Sequence, residues 1–274
     1  MRLVRPPAPA LRPFVSRVWA IDDGEASPAP AARERVLPTG EMHLVIRLSE
    51  RPVRLYPHPG SVAAHAVGLA TVSGMRSESY LREVSAPVRS VGVQLHPTAC
   101  PLLLGAPADE LAGRHWALED FWGAAAARVR QQLLDGGRLE RQLDLFEALL
   151  AARVPRVHAL HPAVALALER FTAGEPVGEV VRASGRSHRA FIALFRRAMG
   201  LSPKVYCRLQ RFQRVMGRLA LDPAAPWSDV ALDAGYSDQP HFGREFRELA
   251  GVTPGEYRAL APRGHHVPLR AAAR

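Results

Sequence analysis

Two stretches of this chain repeat one grammar fifty residues apart, and that repeat limits what the C-terminal half can fold into. In PVGEVVRASGRSHRAFIALFRRAMG, residues 176–200, Val177, Val180, Val181 and Ala183 mark one apolar face. Gly185 follows as a turn where positive φ is easy, and Phe191, Leu194 and Phe195 mark the buried face of a second helix. WSDVALDAGYSDQPHFGREFRELAG, residues 227–251, does the same with Val230, Ala231 and Ala234, then Gly235, then Phe242 and Phe246. In a helix-turn-helix the first helix packs across the second and leaves the second's other face free for a major groove. A single pair of this kind is common in proteins that bind nothing; two copies at a fixed spacing carry far more weight.

Between the two glycines, KVYCRLQRFQRVMGRLAL (204–221) reads as one continuous helix. Its residues span about 27 Å at a rise of about 1.5 Å each, which approaches the roughly 34 Å between successive major grooves on one face of B-DNA. The pattern predicts helices near 162–173, 177–183, 187–199, 203–221, 227–234 and 239–250, with no strand among them.

Charge follows the same division. Residues 1–155 hold 18 Arg against 16 Asp and Glu, a net of +2, whereas residues 156–274 hold 18 Lys and Arg against 10 acids, a net of +8. A basic domain attracts polyanions through its summed field and through counterion release, so nucleic acid leads the partner classes. Lys204 is the single lysine among the 36 basic residues, so an overall Arg bias or a solvated basic surface accounts for the charge equally well.

The first unit's ASGRSHRAFIALFRRAMGLSPKVYCR and the second's ALDAGYSDQPHFGREFRELAGVTPGEYR resemble the AraC/XylS family of transcription regulators, and the closing 235–258 is that family's most specific signature. The resemblance covers residues 160–260. It implies two helix-turn-helix units on one linker helix, both reading promoter DNA. The first recognition helix would present Arg189, Ile192 and Ala193 to base edges, with His188 and Arg196 nearer the backbone. Arg189 suits a bidentate pair with guanine. Ala193 departs from the polar residue or Arg often found at that place, and can touch only a thymine methyl. In the second unit Gln239, His241 and Arg244 face outward, Gln239 suiting adenine and Arg244 guanine or phosphate. Asp238 reads as a helix N-cap, and Pro240 sits where a first-turn proline is tolerated. Arg208, Arg211, Arg214 and Arg218 on the linker either contact the DNA backbone or merely solvate the helix.

The N-terminal half reads differently. HLVIRL (43–48), PVRLY (52–56) and VRSVGVQL (88–95) are β-favouring pieces among turn signals, giving a β-rich barrel or sandwich to about residue 117. From 118 to 153, Val129, Leu133 and Leu134, then Leu139, Leu143, Phe146, Leu149 and Leu150, recur at helical spacing across Gly136-Gly137. This helical hairpin packs either on the β unit or against its mate in a second chain. The fold class is therefore α+β and multidomain: a sensor or dimerisation domain over 1–153, a linker over 154–160, an all-α DNA-binding domain over 161–260, and a mobile tail over 261–274.

Residues 90–123 resemble an uncharacterised cupin-like sensor domain found in some of these regulators. That resemblance implies an effector pocket, for which His43, Arg47, Gln94, His96 and Trp116 are the candidates, and leaves the ligand unnamed. His43, His58, His65 and His96 have no compact metal-ligand spacing. Cys100 and Cys207 are too few for a disulfide framework and too far apart in sequence for a local metal clip. No GxSxG, Walker loop or GxGxxG after a strand occurs, so no enzyme and no cofactor is expected. Neither a membrane span nor a secretory leader is legible, which leads to the expectation of a cytoplasmic protein, monomer or homodimer. Its expected partners are double-stranded DNA, a small-molecule effector and RNA polymerase. The rival reading is a cupin-type small-molecule-binding or catalytic protein whose C-terminal helices serve assembly.

Overall fold

The structure is a computed structural model and describes residues 1–22, 33–84, 88–155 and 159–269. Two antiparallel sheets make the N-terminal part. The first takes β1 (Arg2–Arg5), β2 (Val15–Asp22), β4 (Met42–Arg47), β7 (Ala70–Ser73), β9 (Arg89–Leu95) and β10 (His115–Ala117) in the order β1-β2-β9-β4-β7-β10. The second takes β3 (Arg33–Val36), β5 (Val53–Tyr56), β6 (His65–Gly68), β8 (Tyr80–Glu83) and β11 (His266–Pro268) in the order β11-β3-β8-β5-β6.

Alternation decides which face of the first sheet is core. Val18, Ala20, Leu44, Ile46, Val72, Val91, Val93 and Leu95 are all essentially fully buried on one face. The short helices α1 (Cys100–Leu103), α2 (Ala108–Leu111) and α3 (Glu119–Trp122) follow β9 and flank β10. The hairpin of α4 (Ala124–Asp135) and α5 (Leu139–Ala151) then covers the apolar face, α5 lying on β2 and β9 and α4 on β7. Val129, Leu133, Leu139, Leu143, Phe146 and Leu150 are buried there within one chain, so of the two packings open to the hairpin this is the intrachain one.

The remaining helices are α6 (Pro162–Thr172), α7 (Val177–Ala183), α8 (His188–Met199), α9 (Pro203–Leu221), α10 (Trp227–Asp233), α11 (Gln239–Ala250) and α12 (Pro254–Ala259). Each expected helix of the C-terminal half is present to within a residue or two. Of the expected linker, residues 156–158 lie outside the described residues, as do 270–274 of the expected tail.

The expected mobile tail is instead a paired strand over His266–Pro268. His266, Val267 and Pro268 pair with Val36, Arg35 and Glu34 of β3, and Val267 is fully buried. A three-residue strand with one apolar side chain carries almost no pattern of its own; the unpaired edge of β3 supplies the reason for it to be a strand. Among the described residues no helix is long and apolar enough to cross a membrane.

Candidate nucleic-acid interface

Each helix-turn-helix unit is set by local chemistry before any ligand is considered. In the first, Gly185 turns the chain at φ +66°, and Ser187 caps α8, its side chain accepting from the Ala190 N–H at 3.3 Å. Phe191, Phe195 and Met199 point inward, where Phe195 meets Phe171 and Tyr206 edge-on at 5.5 and 5.4 Å. In the second, Gly235 turns at φ +85°, and Asp238 caps α11 by accepting from the His241 N–H at 2.7 Å. That bond holds the Asp238 carboxyl below its ordinary value. Phe242 and Phe246 pack with Trp227, Tyr236, Phe212 and Tyr257. Both recognition helices end in a left-handed glycine, Gly200 and Gly251.

The outward faces hold most of the residues expected to meet DNA. His188, Arg189, Ala193 and Arg196 are exposed on α8, Ile192 is half-buried among them, and Arg197 adds a cation that the motif reading passed over. On α11, Gln239 and Arg244 are exposed. His241 leans inward: its ring lies edge-on to Tyr236 at 5.5 Å, and its Nε2 is 3.8 Å from Glu245 Oε2.

The linker helix α9 has nineteen residues, about 28 Å at 1.5 Å each. Tyr206, Leu209, Phe212, Val215, Met216 and Leu219 bury one stripe of it into both units. Its arginines divide sharply by partner. Arg208 and Arg211 bond Glu245 on α11 at 2.9 and 3.0 Å, Arg208 also bonds Glu248, and Arg218 pairs with Asp233 at 3.3 Å and Asp222 at 3.7 Å. Arg214 and Lys204 have no carboxylate partner among the described residues, and Arg214 reaches only the Thr172 carbonyl at 3.4 Å. Both line a groove of about 750 Å³ between the units, with Arg244 on its far wall.

Glu245 is the electrostatic centre of the second unit, and no sequence signal marked it. Burial by itself would raise its pKa. The Arg211 and Tyr236 hydrogen bonds, with the Arg211 charge and the Arg208 hydrogen bond behind them, outweigh burial and hold the carboxyl below its ordinary value. Tyr236 is raised by burial and by that same carboxylate.

The N-terminal sheets frame a second constellation. Strand register sets Arg17, Gln94, His43, Ser73 and His115 side by side across five strands, on the face of the first sheet opposite its apolar core. Tyr80 of the second sheet meets the His115 ring at 4.5 Å, so this polar row faces the space between the sheets. Arg76 lies 4.5 Å over Tyr80 and 3.2 Å from His115 Nδ1. Thr39 Oγ1 is 2.8 Å from His43 Nε2. Burial, reinforced by neighbouring cations, pushes His43 down to about 4 and His115 to about 3, so both imidazoles are neutral at pH 7.

Of the pocket candidates read from sequence, His43 and Gln94 stand in this row. Arg47 is buried at the strand's end, with its Nη1 donating to the Arg51 carbonyl and burial lowering its pKa to about 10. Trp116 points the other way, against Phe121 at 6.0 Å, because it alternates with His115. His96 precedes the turn Pro97–Ala99, which abuts α8. His115, Ser73, Tyr80 and Arg76 were missed, because cross-strand register sets Ser73 beside His115 and only the packing of the second sheet and its connecting loop brings Tyr80 and Arg76 to them. Among the described residues no group of three or more His, Cys, Asp or Glu gathers as a metal would need.

Two recognition helices on one rigid linker, with capped N-termini and cationic outer faces, define a two-headed helix-turn-helix module. Comparison with known proteins makes this specific. The model of a helix-turn-helix domain matches residues 180–260, and that of a domain of unknown function, DUF6597, matches residues 4–117. The chain thus joins a C-terminal helix-turn-helix domain to a separate N-terminal domain. Curated relatives include the HTH-type transcriptional regulator MtrA of Neisseria gonorrhoeae, 30% identical over 82 residues (30% of this chain, 27% of that protein). The putative HTH-type transcriptional regulator YkgA of Escherichia coli strain K12 is 34% identical over 82 residues (30% and 34%). The chain thus spans about a third of the length of the curated relatives it matches. Among solved structures, ToxT of Vibrio cholerae O395 superposes with a TM-score of 0.48 at 11% identity, covering 85% of this chain and 96% of that one. A probable AraC family regulator of Rhodopseudomonas palustris CGA009 gives 0.30 at 29% identity, covering 35% and 94%.

Proposed function

We propose that this chain is a sequence-specific DNA-binding regulator of transcription, reading two successive major-groove segments with α8 and α11. The observation that carries the reading is the pair of capped recognition helices on α9, each with exposed cations where a duplex would lie. Arg189 and Arg244 are the base-reading cations, Gln239 is an adenine reader, and Lys204, Arg214, Arg196 and Arg197 hold phosphates. Arg208, Arg211 and Arg218, being paired with carboxylates, shape the module instead. The exposed faces of α8 and α11 are cationic rather than apolar, which favours a polyanion over an assembly seam.

The N-terminal domain acts as the sensor, and its effector lies between the two sheets against His43, Gln94, Ser73 and His115. These side chains offer neutral donors and acceptors beside the guanidiniums of Arg17 and Arg76, a lining suited to a small polar ligand. The regulatory output passes to RNA polymerase at the bound promoter. The test is selection of preferred sites from a random DNA pool at about physiological salt, followed by the salt dependence of the winners. Enrichment of two blocks about 10 base pairs apart is the expected result; no enrichment, with or without cell metabolites, overturns the reading.

A further inference from the structure

The last described strand ties the two halves of the molecule together. β11 follows the DNA-binding helices in sequence yet belongs to the sensor's second sheet. The Leu37 N–H donates to the His265 carbonyl at 2.8 Å, and the Leu269 N–H donates to the Arg33 carbonyl at 3.0 Å. His266 Nδ1 lies 2.9 Å from Glu34 Oε1, and Glu34 is also bound by Arg82 at 2.5 Å. The DNA-binding side grips the same segment. The Tyr257 hydroxyl donates to the Gly264 carbonyl at 2.8 Å, and Gln213 of α9 joins His265 Nε2 at 3.0 Å while donating to the Pro38 carbonyl at 2.8 Å. At Gly251, which ends α11, an added Cβ would strike Arg35 of β3.

The posture held in this way bears on α8. Its C-terminal glycine, Gly200, sits so close to α2 that an added Cβ would lie 3.0 Å from the Ala108 carbonyl oxygen. The next residue, Asp109, shares a cleft of about 650 Å³ with Arg189, Ile192, Ala193, Arg196 and Arg197, the face expected to read bases. A recognition helix in a major groove has a phosphate strand on either side of it. α2 packs against α8 on one side, so a phosphate strand approaching there would meet α2 and the Asp109 carboxylate.

We propose that residues 263–269 are a strand latch that keeps the first recognition helix from DNA. While β11 is paired with β3, the sensor holds α8 beside α2. When β11 leaves β3, the DNA-binding domain separates from the sensor and both recognition helices reach the duplex. The proposal rests on the DNA-binding reading above.

The test compares the full chain with Val267→Asp, which sets a carboxylate at a fully buried position of the latch. Amide hydrogen exchange is read at Leu37 and along α8 and α11, and affinity is read on the site enriched from the random pool. Faster exchange at Leu37, unchanged protection of α8 and α11, and an affinity gain of at least about fivefold are expected, since removing a closed state raises the competent fraction. If α8 or α11 loses protection, Val267→Ser is read in its place. Wild-type exchange at Leu37 in the variant overturns the latch, and a released tail with unchanged or weaker DNA binding overturns the restraint. If neither protein enriches a site, the DNA-binding reading fails and the restraint with it, while exchange at Leu37 still decides whether the tail holds β3.

Discussion

Replacing Glu245 by Ala should destabilise the second helix-turn-helix unit while strengthening its hold on DNA of any sequence. The carboxylate side chain is 5% exposed and accepts from Arg208 Nε at 2.9 Å, Arg211 Nη2 at 3.0 Å and Tyr236 Oη at 2.9 Å. Removing one partner of a fully buried ion pair costs about 3–5 kcal/mol. Here the two guanidiniums keep 27% and 28% of their exposure and can turn to water, so their share falls toward the surface-pair range of about 0–1 kcal/mol each. Tyr236 cannot follow them, being 5% exposed, and its orphaned hydroxyl costs about 1–3 kcal/mol. The expected loss is about 3 kcal/mol, measured by urea unfolding with Trp227 fluorescence, since Trp227 packs 5.7 Å from Phe242 in the same core. Glu245→Gln, which still accepts from Tyr236, should lose roughly half as much. The folded state holds Glu245 below its ordinary value, so its contribution is complete above the pH where a free Glu titrates, about 4.3. It is lost as pH falls through the lower folded value, and the gap between wild type and Glu245→Gln should close there. Arg208 keeps Glu248 as a partner while Arg211 is freed, adding one cation to the groove, so the salt slope of DNA binding should steepen by about one. An Ala variant with wild-type urea stability would refute this account of the unit's core.

Arg189→Ala and Arg244→Ala should each relax the preferred site at one position, by about 1–3 kcal/mol of discrimination, read by repeating the site selection with the variants. Unaltered preference in both would remove the docking assignment. Lys204→Ala and Arg214→Ala should weaken all sequences alike and lower the salt slope by about one each, whereas Arg218→Ala, whose side chain faces Asp222 and Asp233, should leave that slope unchanged. Gln142 is fully buried on α5 with neither amide atom hydrogen-bonded, so Gln142→Leu should stabilise the protein by about 1–3 kcal/mol; a loss on denaturation would show that the amide is satisfied in solution. His43 and His265 are held near 4 and His115 near 3, so the unfolded chain binds more protons below about pH 6.5. Stability should therefore fall steadily from pH 7 to pH 4, and His43→Asn should make that fall shallower in urea titrations across the range.

Much of the C-terminal domain was legible because its information is local. An apolar stripe at helical spacing, a turn glycine at 185 and again at 235, and cap residues such as Asp238 act within a few positions of one another, so Phe191, Phe195, Phe242 and Phe246 could be assigned to the core from spacing. The β-rich half was legible only in outline. His43 and Gln94 were singled out one at a time, whereas their neighbours Ser73 and His115 come from strands whose pairing depends on loops the pattern does not specify. Trp116 shows the size of the difference: one residue of register turns a side chain from the space between the sheets to the opposite face.

By itself, then, the sequence determined the double helix-turn-helix, its linker and its excess of positive charge, because helix periodicity and capping are written in neighbouring residues. Tertiary structure decided which cations remain available. Arg208, Arg211 and Arg218 look like Arg214 along α9, yet only a folded α11 and α10 bring Glu245, Glu248 and Asp233 to three of them. It also decided the fate of the tail: His266–Pro268 becomes a strand only because an open sheet edge lies beside it, more than two hundred residues away along the chain.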